Sequence, residues 1–378
     1  MKKQIEGLED LAQLEPTRPL FSVIISCYNS RKTIGALLES LCNQNLEYED
    51  LEVIISDDCS TEPYDDIVQN YLNKLMIKEI KTEYNCCPSN TRETGAQAAT
   101  GQWICFSDHD DIFIDESLGE LKRRINEGLD EQYCIYTSFY ELKPDYLTIL
   151  KKVPASDSGG WTHGKFFNLD KLWKDYDIHY KKDLKSHEDI YLICYINVVL
   201  DKIHARGANA LTTFDDLYTY GWVTNPDSLS HKKYEDNYNF LELHFPDYVE
   251  ATGFCYLDGY YKNIIPYDRM KQYTMDSILL YYFYDESFYF ENPNRPREEN
   301  RKIITKFVKT VKKLLNIDNN AIWQFAANNH GFAYNRAWDK TNIGPGGIVQ
   351  SHTLAEWLEI IDKDDSTIYQ SPYYVLQK

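Results

Sequence analysis

From Phe21 onward the chain alternates short apolar runs with segments of helical period. "FSVIIS" is a β-branched run that predicts a strand, and "SRKTIGALLESLCNQ" spaces its apolar residues as a helix does. "LEVIISDD" predicts a second strand and "DDIVQNYLNKL" a second helix, after which "IKEIKTEY", "SNTRETGAQAAT" and "GQWICFSD" repeat the cycle. The strand runs are almost continuously apolar, as expected when helices cover both faces of a sheet. Strands alternating with helices of this length predict right-handed crossovers and an α/β fold with a mostly parallel sheet.

Past about residue 130 the rhythm loosens. "YCIYTSFY" predicts a strand, "GGWTHGKFFNLDKLW" a glycine-marked loop entering a helix, and "SHEDIYLICYINVVL" a helix with a polar start. "LTTFDDLYTYGW" predicts a pair of strands, followed by the polar loop "VTNPDSLSHKK". From about residue 236 the pattern is helical and rich in tyrosine, so the expected division is an α/β domain over 1–235 and a mainly helical region over 236–378. A length of 378 residues suits two units, because single cores stop growing near ~250–300 residues.

Composition narrows the classes. A formal charge of −19 argues against nucleic acid and anionic membranes as partners. The nine cysteines are odd in number and form no CxxC pair, which reads as reduced thiols of a cytosolic protein. The opening "MKKQIEGLEDLAQLEP" has acids where a signal peptide needs apolar residues. No later run approaches the ~20 apolar residues of a membrane span. A cytoplasmic location is expected, with peripheral attachment to a membrane-bound partner left open.

In open α/β sheets the ligand sits outside the carboxyl ends of the strands. Those ends here read "CYNS", with Tyr28, then "DDCST", "YNCCPSNTR" and "DHDD". Asp108, Asp110 and Asp111 put three carboxylates within four positions, and such charges repel unless a cation or a buried proton offsets them. Mg²⁺ or Mn²⁺, which take one or two carboxylates and complete their shell with water and phosphate oxygens, is one answer; a solvated acidic turn is the other. Asp57 and Asp58 can accept the ring N–H of a uracil or ribose hydroxyls, or simply cap a turn. Arg92 can fork onto a diphosphate or be an ordinary helix arginine. Glu188 and Asp189 offer a general base, or acids at a helix start.

The ordered set "SVIISCYNS", "EVIISDDCST", "SNTRETG", "ATGQWICFSDHDD", "HGKFFNLDKL", "HEDIYL" and "LYTYGWVTNPDSLS" resembles the family 2 glycosyltransferases with the GT-A fold, over about residues 20–235. The resemblance implies an inverting, non-processive enzyme that moves one sugar from a nucleotide-diphospho-sugar, with a UDP-sugar favoured, to a hydroxyl of a glycan, lipid-linked or glycoprotein acceptor. It implies uracil contact by Asp58 with Asp57 beside it, base or diphosphate contact by Arg92, and donor contacts by Tyr28, Asp108 and His109. It further implies Mn²⁺ or Mg²⁺ held at Asp110, and an acceptor-activating base at Asp189 with Glu188 adjacent. His231 falls where related enzymes fold a loop over the donor, and could touch the metal or the diphosphate. Lys165 and His163 of "THGKFF" fall in a segment that faces donor sugar or acceptor. Two departures matter: Glu93 stands where many members have Asn after the arginine, and the QxxRW signature of processive synthases is absent.

Two other classes compete. A nucleotidyltransferase would need a glycine-rich phosphate loop that "CYNSRKT" lacks. A non-catalytic carbohydrate-binding or scaffold protein could keep the fold without the activity. The helical region from 236 on suits either acceptor binding or homo-oligomerisation.

Overall fold

The computed structural model describes residues 18–205, 211–225, 244–291, 297–329 and 352–365. Four parallel strands form the first half of its sheet: β1 (Phe21–Cys27), β2 (Leu51–Asp57), β3 (Met76–Lys81) and β4 (Trp103–Asp108). Helices α1 (Ile34–Cys42), α2 (Asp65–Val68) and α3 (Pro88–Ala98) make the connections. On α1 the buried residues Ile34, Leu37, Leu38 and Leu41 follow helical spacing and join the core with Val23, Ile25, Val53 and Ile55. The helix expected over "DDIVQNYLNKL" closes early: α2 is four residues long, and the Asn70 side chain donates to the Asp66 carbonyl, a local bond that favours turns over helix.

Register matters more here than the element list. Phe21 lies opposite Leu51 on one side and Trp103 on the other, so Cys27 ends beside Asp57 and Ser26 beside Asp108. The polar residues that follow the three runs are thereby brought to one edge. Helix α3 can approach that edge because residue 95 is glycine: a Cβ there would come within 2.4 Å of Ile24 Cγ2.

The second half of the sheet departs from simple alternation. It holds β5 (Ile112–Phe113), β6 (Cys134–Leu142), β7 (Ile149–Val153), β8 (Lys165–Asn168) and β9 (Thr212–Val223). The order is β3-β2-β1-β4-β8-β6-β9-β5, with β7 on the side of β6. Strand β8 runs antiparallel to both β4 and β6, so the sheet is parallel in its first four strands and mixed as a whole. The helix α4 (Ser117–Arg124) covers part of this half, burying Leu118 and Leu121.

Two sequence expectations change here. "KFFN" is a strand inside the segment read as loop and helix: four buried residues are too few to show a period, and the wide helical turn that follows, Leu169–Lys174, dominates the pattern. "LTTFDDLYTYGW" is one long strand, not two. Its "DD" is a bulge, where the pairing with β6 jumps from Tyr136–Phe214 to Ser138–Tyr218 and Arg124 donates to both Asp215 and Asp216.

The described chain divides into two compact units, Met1–His179 with Ala210–Thr224, and Tyr180–Asn209 with Asn225–Lys378. The boundary expected near 235 lies outside the described residues. The second unit is helical. Its α5 (Glu188–Ala205) contributes Val198 to a core with Leu257 and Ile265, beside the helices Tyr267–Glu291, Arg297–Leu315 and Leu354–Lys363. Tyr281 and Tyr282 of the tyrosine-rich run are buried in that core. Among the described residues no helix is long and apolar enough to cross a membrane, and all nine cysteines are free thiols.

Candidate active site

The carboxyl ends of β1, β2 and β4 are laced to one another by short loops. Asn29, at φ 52°, turns the chain after β1, and its Oδ1 accepts from the Thr61 N–H and hydroxyl at 2.9 and 3.1 Å. Tyr28 beside it is 46% exposed. Asp57 is buried and accepts from the Ser60 N–H at 3.2 Å and from the Ser60 hydroxyl, with Lys81 Nζ at 3.5 Å. Asp58 is buried too, and it accepts from Thr82 Oγ1 (3.1 Å), Asn85 Nδ2 (3.2 Å), the Cys86 N–H (2.9 Å) and the Cys86 thiol (3.0 Å). The turn-capping reading therefore describes what both carboxylates do in the structure, where they fix the loops that follow β2 and β3.

Arg92 lies on the face of α3 that Gly95 brings against the sheet, and its Nη2 donates to Asp108 Oδ1 at 2.6 Å. Burial by itself would raise the Asp108 carboxyl, but the Arg92 guanidinium, with His163 and His109 nearby, outweighs it and holds the group below the usual carboxylate range. Asp108 keeps 35% of its side chain exposed. His109 Nδ1 meets Thr33 Oγ1 at 2.8 Å, tying the acidic turn to the start of α1. Asp110 is partly exposed at the tip.

Asp111 solves the charge problem differently. It is 1% exposed, with Oδ2 accepting from the Tyr220 hydroxyl and Oδ1 from the Val223 N–H, each at 2.7 Å. Burial, and then the charges of Asp108 and Asp110, push its carboxyl well above the ordinary value despite those two donors. The crowding that the sequence raised is thus relieved by a guanidinium on one acid and by donors from β9 on another. Sequence reasoning missed Thr33, whose contact with His109 depends on the start of α1 lying beside the end of β4, and Tyr220 and Val223, whose relevance depends on β9 returning beside β5.

His163 stacks on Tyr220 (centroids 5.2 Å, 26°) and on Trp222 (6.0 Å, 25°), and its Nδ1 is 4.0 Å from Asp111 Oδ2. Gly164 follows at φ 63°, where a Cβ would press on Thr137. Lys165, 0% exposed, donates to Ser158 Oγ at 2.7 Å and to the Trp161 carbonyl at 2.6 Å, with the Tyr136 ring 4.9 Å below. The ammonium thus pins the turn before β8.

Glu188 and Asp189 open α5 in the second unit. Before them the Lys185 and Ser186 N–H groups donate to Asp247 at 3.1 Å, and His187 turns the chain at φ 58°. Burial, then the charge of His244, lowers the His187 imidazole to about 4. His231 lies outside the described residues. Among the described residues, no three His, Cys, Asp or Glu side chains are arranged to hold a metal ion.

Comparisons with known proteins bear on this geometry. The family model described as glycosyl transferase family 2 matches residues 22–181. Poly(ribitol-phosphate) beta-N-acetylglucosaminyltransferase TarS of Staphylococcus aureus is 32% identical over 240 residues, which cover 59% of this chain and 39% of that one. The chain thus spans about two fifths of that relative's length. UDP-Glc:alpha-D-GlcNAc-diphosphoundecaprenol beta-1,3-glucosyltransferase WfaP of Escherichia coli is 27% identical over 200 residues, 52% of this chain and 76% of that one. The crystal structure of S. aureus TarS in complex with UDP has a TM-score of 0.55 at 21% identity, covering 78% of this chain and 82% of that one. At that identity the likeness is one of fold: a mixed sheet flanked by helices, of the GT-A type, with a helical C-terminal region. The order of motifs along β1 to β4, the sheet that aligns their ends and the matched family model agree, and residues 22–181 of the chain are similar to the family 2 glycosyltransferases.

Proposed function

We propose that this protein transfers a single sugar from a UDP-sugar to a hydroxyl of a glycan or glycoconjugate acceptor, with inversion at the anomeric carbon. The observation that carries the reading is the convergence of Asp58, Arg92 and the Asp108–Asp111 turn at the aligned ends of β1, β2 and β4. Support for uridine comes from the relatives: TarS has been solved with UDP-GlcNAc, and WfaP is named for UDP-Glc. In this reading the buried Asp57 and Asp58 shape the base pocket, Tyr28 lies over the nucleoside, and Arg92 steadies the diphosphate while holding Asp108.

Asp110 is the proposed carboxylate ligand of Mn²⁺ or Mg²⁺, with His231 a further candidate and the diphosphate supplying the remaining oxygens. When bound, such an ion stabilises charge on the departing diphosphate. Asp189, with Glu188 beside it, is the proposed general base that takes the proton of the acceptor hydroxyl. The second unit is the proposed acceptor-binding or oligomerisation module, and a cytoplasmic location belongs to the same proposal.

The test is a melting series with UDP, UDP-GlcNAc, UDP-glucose and GDP, each with and without Mn²⁺, followed by assay of sugar release. Ligands that bind the native state stabilise it by RT ln(1 + L/Kd), where L is the free ligand concentration, and so raise the melting temperature. UDP compounds should give the larger shift, increased by Mn²⁺, and sugar release should be measurable. A larger shift with GDP overturns the uridine assignment. Binding without any release or transfer favours a scaffold on the same fold.

A further inference from the structure

Trp161 is 48% exposed, yet its surroundings hold it in one orientation. Its ring stacks on Trp222 with centroids 6.4 Å apart and 21° between planes, and Phe139 meets it edge-on at 6.2 Å and 86°. Its carbonyl accepts from the buried Lys165 ammonium at 2.6 Å. The near-parallel rings continue inward through Trp222, His163 and Tyr220, and the Tyr220 hydroxyl donates to Asp111. The stack therefore runs from solvent to the acidic turn of the candidate active site.

An exposed indole is an apolar face left in water, and its rigid mounting removes most of the ordering cost of using it. A flat, exposed apolar surface suits a sugar ring, whose C–H face is apolar and whose rim can keep its contact with water. We propose that Trp161, backed by Trp222, is a platform on which the sugar ring of the donor or the acceptor stacks. This rests on the glycosyltransferase reading and adds to it a residue that sets which sugar is held.

The experiment compares Trp161→Ala and Trp161→Phe with the unaltered full chain. Probes are UDP, UDP-GlcNAc, UDP-glucose and the methyl β-glycosides of glucose and N-acetylglucosamine, followed by calorimetry and by indole fluorescence. Trp161→Ala should weaken binding of a sugar-bearing probe by about three- to tenfold, the range one aromatic contact supplies, and leave UDP unchanged. Trp161→Phe should restore most of the loss. A loss confined to the UDP-sugars assigns the platform to the donor, and a loss confined to the glycosides assigns it to the acceptor. Equal affinities in Trp161→Ala and the unaltered chain, or no saccharide binding by either, overturn the platform. Saccharide binding that depends on Trp161 with no binding of UDP would keep the platform and overturn the nucleotide-donor reading instead.

Discussion

Each compact unit carries a crowded group of carboxylates, and the two groups are handled in opposite ways. In the sheet unit, Asp108, Asp110 and Asp111 sit at the end of β4 with Arg92 on one acid and Tyr220 and Val223 on another, and Asp108 and Asp110 still reach solvent. In the helical unit, Asp285 and Glu286 are adjacent on the helix Tyr267–Glu291 and both are buried. Arg301 donates to both acids, the Trp357 indole N–H donates to Asp285 at 2.8 Å, and the His352 N–H donates to Glu286 at 2.9 Å. Those donors come from two other parts of the unit, the helix Arg297–Leu315 and the segment His352–Trp357, so the pair ties helices together. Acid crowding in a sequence therefore does not by itself mark a ligand site; what decides is whether the carboxylates keep an open side.

The comparison is broken most directly if the helical unit also does chemistry. Asp189→Asn should lower transfer by about 10²–10⁴-fold, the usual cost of losing a general base, with UDP affinity unchanged. Early melting together with lost UDP affinity would mean that Asp189 is only an acid at a helix start. The converse concerns Arg301→Met, which strips the main cation from two buried carboxylates and should cost about 3–5 kcal/mol of stability by denaturant titration. Its UDP affinity should stay that of the unaltered chain, and a stable variant would refute the structural reading of the Asp285–Glu286 pair.

Arg92→Met sharpens the other side. It removes a charged hydrogen bond worth about 1.5–3 kcal/mol and leaves Asp108 beside two further acids. UDP affinity measured by calorimetry should fall at least about tenfold, more than the melting temperature falls. A variant with normal UDP affinity would show Arg92 to be a fold residue. Asp110→Asn should abolish the part of the UDP shift that Mn²⁺ adds, and leave the metal-free shift intact.

The last expected effect is on pH. The His187 imidazole titrates at about 4 in the folded chain, below its ordinary unfolded value near ~6.5. As pH falls, the unfolded chain takes up this proton first. The stability associated with neutral His187 is therefore complete above about pH 6.5 and is lost as pH falls through about 4, a change of at most about 3 kcal/mol. His187→Gln should flatten that part of the stability–pH curve, and an unchanged slope would show that the imidazole stays solvated.

The first half of the fold was legible because local rules suffice there. Val23, Ile25, Val53 and Ile55 are buried in runs long enough to show their period, and crossover helices fix parallel order. Arg92 and the "DHDD" turn were legible as candidates for the same reason, since strand ends in such sheets gather at one edge. Strand β8 was not, because "KFFN" is too short to carry a period, nor was the bulge at Asp215 and Asp216, whose "DD" reads as a turn until β6 is beside it.

The sequence by itself determined the class of the protein, the order of its motifs and the residue types at the strand ends, because these follow from chain-local hydrophobic period and chemistry. Only the tertiary structure decided which acid is paired with a guanidinium, which is buried against Tyr220 and Val223, and that Trp161 stands in line with Trp222, His163 and Tyr220. Those outcomes depend on partners some 16 to 112 residues apart in the chain. Contacts at such separations are set by register and packing, and no local pattern records them.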